Sequence, residues 1–126
     1  MKVIETDFFN CMIPESCWDN VEWRTKVSIE LLKTDYDEQF ADKEEQKKVI
    51  QRVLNKRSLV DEVAIQATAN LSRRTLVRYN TQTKLPMVFT PIDPDPALSP
   101  IYVEYTELGL SQTYYRLEKK APSLFT

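Results

Sequence analysis

The chain has 126 residues, a hydrophobic fraction of 42% and a net charge of −2, which is typical of one folded domain with a single core. It contains no histidine, which removes the commonest general base, the histidine-containing nucleophilic triads and the commonest metal ligand. Its single glycine rules out a glycine-rich phosphate loop. We therefore expect a protein that is not an enzyme and that holds no cofactor or metal.

Cysteine spacing and hydropathy indicate the cellular setting. Cys11 and Cys17 lack C-x-x-C spacing and a second ligand pair, so we expect reduced thiols and neither a zinc site nor a disulfide scaffold. The sequence has no apolar run long enough to span a bilayer, and its N-terminus does not resemble a secretory signal. These features predict a cytoplasmic protein with no membrane partner.

Charge is segregated along what we interpret as a single domain, residues 1–126. The acidic N-terminal part, 1–46, holds 5 basic and 12 acidic residues; the basic helical part, 47–85, holds 9 and 2; the hairpin and C-terminal part, 86–126, holds 3 and 5. A basic middle in an acidic protein indicates either an anionic partner or attraction between two parts of one fold.

The first half of the chain predicts mainly helices. An apolar cluster at residues 3–9 predicts a short strand, and residues 21–32 fit either a strand or a helix, with Asp19 or Asn20 as a cap favouring the helix. Residues 42–57 carry an apolar face at helical spacing. Ser58 followed by Asp61 resembles a capping box and predicts a second helix.

The remaining elements complete an α+β fold. Asn70 predicts a turn, and Ser72 then caps a third helix over residues 73–80. Two β-type runs, 87–92 and 101–106, are separated by DPDPALSP and predict a hairpin with a proline-stiffened tip. Residues 107–120 fit either a final helix or another strand. We expect a small three-helix centre with a C-terminal β-hairpin.

One segment resembles a known family. Residues 65–79, IQATANLSRRTLVRY, resemble the helix-turn-helix of bacterial regulators of the AraC and LuxR types, although Gln66 stands where alanine is usual and Asn70 where glycine is usual. Residues 101–109, with VEYTELG, look like the wing-to-helix step of HxlR-type regulators. The resemblance implies a winged-helix-like fold that binds DNA and regulates transcription.

The predicted nucleic-acid site follows the third helix. A helix after Ser72 directs its arginines to one side, and arginine donates paired hydrogen bonds to phosphate or guanine. The helix itself fits the major groove. Alternatively, the arginines form a solvated face or pair with the acidic N-terminal part. The candidate site residues are Ser72, Arg73, Arg74, Val77 and Arg78.

Two functions are compatible with these features. The first is a DNA-binding regulatory protein whose partner is duplex DNA and whose loop 93–100 is the wing, although Asp93 and Asp95 at its tip would repel phosphate. The second is a small phage or viral assembly protein, or a host-inhibitory protein, that acts only through protein contacts. Its basic helix would then meet an acidic protein surface. A homo-oligomer is possible in either case.

Overall fold

The computed structural model describes residues 20–55, 60–108 and 111–117. Its helical elements are α1 (Asn20–Glu30), a 3-10 helix (Thr34–Gln39), α2 (Lys43–Leu54) and α3 (Glu62–Ser72). Its strands are β1 (Leu76–Asn80), β2 (Pro86–Phe89), β3 (Ile101–Leu108) and β4 (Ser111–Leu117). The predicted strand in residues 3–9, together with Cys11, Cys17 and Ser58, lies outside the described residues.

The first two helices match the sequence analysis. Residues 21–32, which fit either a strand or a helix, are mainly helical: Val27 within α1 and Leu31 just after it are completely buried. Helix α2 begins where its cap predicts, because the Asp42 carboxylate accepts a 2.8 Å hydrogen bond from the backbone N–H of Glu45. It ends at Leu54, three residues earlier than predicted.

Helix α3 begins later than the Ser58 capping box predicts. Asp61 occupies the N-cap position of α3 but makes no side-chain cap. Its carboxylate instead accepts hydrogen bonds from Arg52 of α2, at 2.9 Å from Nε and 3.0 Å from Nη2. The acidic residue of the expected cap therefore joins two helices.

The predicted third helix is wrong. Helix α3 continues through Asn70 to Ser72, and Arg73 then ends it in the left-handed conformation, with φ 57° and ψ 30°. Residues 76–80 form strand β1. The run LVRYN is rich in strand-forming side chains, and pairing with a strand on each side fixes it in the extended form. The predicted turn at Asn70 is also wrong, because α3 continues through this residue.

The predicted hairpin between residues 87–92 and 101–106 is wrong, because strand β1 lies between its two runs. The sheet order is β2-β1-β3-β4, with β1 antiparallel to β2 and parallel to β3, and β3 antiparallel to β4. The β-type runs flanking DPDPALSP do contain strands, but each pairs with β1 and not with the other. Of residues 107–120, the structure describes 107–108 and 111–117, and these belong to strands, as the strand alternative predicts.

The connection between β2 and β3 passes over the start of β1. Leu76 pairs with Phe89 at the end of β2 and with Ile101 at the start of β3. Residues 90–100 must therefore cross the junction between α3 and β1. This crossing places the proline-rich loop against the C-terminal end of α3.

The main core lies between the helices and one face of the sheet. Helical residues such as Val27 and Ile65 pack there with Leu76, Phe89 and Val103 from three strands. Val77 and Tyr79 belong to the opposite face and are also buried. The α+β prediction is confirmed, but the winged-helix-like arrangement is not, because the segment expected to be its third helix is β1.

Candidate functional site

Two of the five predicted site residues, Ser72 and Val77, contribute to the fold of α3 and β1. Ser72 is the last residue of α3 and donates from its hydroxyl to the Ala69 carbonyl at 3.2 Å, so it caps no following helix. Val77 lies on β1 and is buried. Neither residue belongs to a helix that follows Ser72, because that segment forms strand β1.

Arg73 and Arg74 bind the loop that crosses above them. Arg73 Nε donates to the Asp93 carbonyl at 3.0 Å, and its Nη2 lies 3.4 Å from the Asp93 carboxylate. Arg74 Nε donates to the Ser99 carbonyl at 2.8 Å. The two side chains therefore hold opposite ends of the proline-rich connection. The loop predicted as a wing therefore lies across the α3–β1 junction, where both arginines bind it.

Arg78 lies on the helix-facing side of the sheet, apart from that loop. Its Nη2 donates to the Glu62 carboxylate at 2.9 Å, and its guanidinium lies 4.6 Å from the centre of the Tyr105 ring. The side chain is only 13% exposed. The three arginines therefore do not form one basic surface.

Gln66 and Asn70, which depart from the regulator pattern, also hold the crossing loop. Gln66 Nε2 donates to the Thr90 carbonyl at 2.8 Å. The backbone N–H of Ile92 donates to Asn70 Oδ1 at 3.0 Å. From the sequence, Gln66 is expected only to affect helix packing and Asn70 to form a turn. Their partners lie more than twenty positions away in the chain, so no local pattern signals the contacts.

A polar cluster joins α1, the 3-10 helix and α3. The Tyr36 hydroxyl donates to the Glu30 carboxylate at 2.7 Å and accepts from Asn70 Nδ2 at 2.7 Å. Lys33 Nζ lies 2.8 Å from the same carboxylate. Burial raises the pKa of Tyr36, and the hydrogen bond and charge of Glu30 raise the pKa of Lys33. The fully satisfied cluster has a structural role.

Exposed apolar side chains concentrate at β2, a strand at one edge of the sheet. On the surfaces of monomeric proteins, large apolar side chains normally occur singly. Here four occur within residues 85–92: Leu85 is 66% exposed, Met87 42%, Val88 57% and Ile92 72%. We call these four side chains the β2 edge surface. Three of the four lie in residues 87–92, the β-type run that the sequence indicates as half of a hairpin.

An open groove of about 480 Å³ adjoins the β2 edge surface. It lies between the 3-10 helix, α3 and β2. Apolar side chains and polar groups both line it, including the carboxylates of Asp35 and Glu62. Among the described residues that line it there is no lysine or arginine. Its apolar lining residues are Val63, Met87, Phe89 and Ile92.

The register of β2 determines which backbone groups face its open side. The backbone N–H of Asn80 donates to the Leu85 carbonyl at 3.1 Å. Because hydrogen-bonded and non-hydrogen-bonded pairs alternate in an antiparallel ladder, Met87 and Phe89 also direct their backbone groups toward β1. The backbone groups of Pro86 and Val88 therefore point away from β1. Proline has no N–H, so Val88 is the residue within β2 that offers both a donor and an acceptor there.

The described residues contain no group of three or more cysteine, aspartate or glutamate side chains that could hold a metal ion. None of the described helices has the length and hydropathy to cross a membrane. No protein-family model, curated protein or solved structure matches the chain.

Proposed function

We propose that this protein acts by binding another protein through the β2 edge surface and the adjoining groove. The observation that carries the proposal is the group of four large apolar side chains exposed on and beside one edge strand. Exposed apolar side chains grouped along one strand are typical of protein–protein contact sites. An edge strand adds unpaired backbone groups, on which a partner strand can extend the sheet.

The chemistry of this surface favours a protein over a nucleic acid. Apolar side chains gain free energy when they leave water against another apolar surface, but phosphates offer them no such contact. The Asp35 carboxylate beside the groove repels a polyanion, whereas the Glu62 carboxylate there is paired with Arg78. DNA binding through Arg73, Arg74 and Arg78 stays a prediction from the sequence. Each of these side chains already donates a hydrogen bond within the chain.

Site-specific photo-crosslinking tests the proposal. A benzoylphenylalanine would replace Val88 in the full chain, expressed in its native cell. The matched control replaces Gln51, an exposed residue of α2 away from the sheet. We expect a discrete protein adduct from position 88 and none from position 51. Equal labelling at both positions, or no adduct at position 88, would contradict the proposal.

A duplex-binding measurement tests the competing function. Fluorescence anisotropy of a mixed-sequence DNA duplex is recorded with the purified protein at several salt concentrations, because phosphate contacts weaken steeply with salt. We expect no salt-sensitive binding. Binding that disappears in a folded Arg73→Ala/Arg74→Ala variant would favour DNA as the partner.

A further inference from the structure

We propose that a second copy of this chain pairs with the open edge of β2, giving a two-fold dimer centred on Val88. The inference rests on the proposed function and names the partner of the same surface. It is carried by the backbone donors and acceptors along that edge. In one antiparallel register, these donors and acceptors pair with the same groups of the second copy.

Three successive outward positions determine the match. Pro86 offers a carbonyl but no N–H, whereas Val88 offers both groups. One residue beyond β2, the alternation places the backbone groups of Thr90 on the same side. The Thr90 carbonyl already accepts from Gln66 Nε2 at 2.8 Å, which leaves its N–H as the group to be matched. Along the edge, Pro86 therefore offers an acceptor, Val88 offers a donor and an acceptor, and Thr90 offers a donor.

A two-fold axis at Val88 pairs this sequence of groups with itself. Val88 then exchanges two hydrogen bonds with Val88 of the second copy. The Pro86 carbonyl accepts from the Thr90 N–H of the second copy, and the reverse bond forms at the other end. The Thr90 carbonyl needs no inter-chain donor, because Gln66 Nε2 of the same chain already donates to it. All four possible inter-chain bonds form, and no polar group is left unmatched.

Competing registers match fewer of these groups. An axis at Pro86 would oppose two carbonyls with no donor between them. An axis at Met87 would set Val88 opposite Pro86 of the second copy, whose missing N–H leaves the Val88 carbonyl without a donor. An axis at Phe89 would set the Val88 N–H opposite the Thr90 carbonyl of the second copy, which already accepts from Gln66 Nε2. The register centred on Val88 is therefore the one that matches all of these groups.

The same register covers apolar side chains on both faces of the sheet. The two Val88 side chains become direct neighbours on one face. On the helix-facing side, Met87 of each copy lies opposite Phe89 of the other, beside the groove. The pairing thus removes Met87 and Val88, which are exposed in one copy, from water.

Sedimentation velocity of the full chain, from roughly 1 to 200 µM, tests this inference. We expect a concentration-dependent dimer. Val88→Pro removes an N–H that points away from β1, so the fold is retained while half of the inter-chain bonds are disrupted. We expect it to weaken dimerisation by about tenfold or more. Val88→Thr, the matched control, keeps the N–H and a β-branched side chain, and should still dimerise.

Two results would overturn the dimer: a monomer at the highest concentration, or dimerisation of a folded Val88→Pro variant as strong as that of the parent chain. If circular dichroism shows that Val88→Pro is unfolded, a Val88→Cys variant in a Cys11→Ser/Cys17→Ser background replaces it. Its cysteines would have Cα atoms about 5.5 Å apart, within disulfide range. Oxidised glutathione should link Val88→Cys but not Gln51→Cys, and failure to link Val88→Cys would overturn the dimer.

The two proposals fail separately. A monomeric protein that still forms an adduct between position 88 and a different protein would overturn the dimer alone. A monomeric protein with no adduct at position 88 would overturn the proposed function as well.

Discussion

The guanidinium of Arg78 lies 4.6 Å from the ring centre of Tyr105, with its Nη2 2.9 Å from the Glu62 carboxylate. This contact links strands β1 and β3 to helix α3. An arginine in that position, stacked on an aromatic ring and only 13% exposed, acts as a packing residue.

Replacing Arg78 should therefore destabilise the fold. Arg78→Ala removes the stacking, the ion pair and the packed side-chain stem, and we expect a loss of about 2 kcal/mol in the free energy of unfolding. Urea unfolding followed by circular dichroism measures it. Arg78→Lys keeps the charge but not the planar stack, so its loss should be smaller. Unchanged stability in Arg78→Ala would show that the contact contributes little.

The left-handed backbone of Arg73 gives a second prediction. Glycine adopts a φ of 57° without a Cβ clash, whereas alanine does not. Both Arg73→Gly and Arg73→Ala lose the same contacts with Asp93, so their difference isolates the backbone effect. We expect Arg73→Gly to be more stable than Arg73→Ala by about 1 kcal/mol. Equal melting temperatures would contradict a left-handed residue at the end of α3.

The Tyr36 hydroxyl connects three helical elements, and its removal has a defined cost. Tyr36→Phe leaves the ring in place but removes the bonds to Glu30 and Asn70. We expect a loss of about 1 to 3 kcal/mol, because both partners are left without the hydroxyl in a buried or half-buried setting. Chemical unfolding at neutral pH measures the change. A neutral effect would indicate that water replaces the hydroxyl.

Stability should fall at alkaline pH. The pKa of Tyr36 is raised in the folded state, chiefly by burial, and that of Lys33 is raised by Glu30. Above the ordinary tyrosine pKa of about 10, the unfolded chain releases protons that the folded chain retains, so the free energy of unfolding decreases as pH rises. Thermal melts from pH 8 to 11 test this. Tyr36→Phe should show a shallower decrease, and an identical slope would exclude Tyr36 as a source.

The helices that the sequence predicted correctly are those with a local signal. Helix α2 combines an apolar face at helical spacing with Asp42 as a cap, and both features operate within a few residues. Strand β1 lacks such a signal, because its five residues, LVRYN, are too few to distinguish a helix from a strand by periodicity. Its extended form depends on β2 and β3, which follow it in the chain.

The candidate site could not be predicted because it depends on that long-range pairing. Leu85, Met87 and Val88 have an interpretable pattern as a strand, but only the sheet order makes that strand an edge. Likewise, Arg73 and Arg74 resembled a basic helix face until the crossing loop provided their partners. The order of helical and β-type segments predicted the mixed fold class and left the interaction surface undetermined.

Amide hydrogen exchange of Val88 tests the central claim most directly. In dilute protein, the Val88 amide should exchange rapidly because it faces the open edge, whereas the Phe89 amide, bonded to β1, should be protected. Raising the protein concentration, or adding a protein recovered by crosslinking, should slow exchange at Val88 by about tenfold or more and leave Phe89 nearly unchanged. Protection of Val88 already in the dilute monomer, or no change on association, would contradict an interaction through the edge of β2.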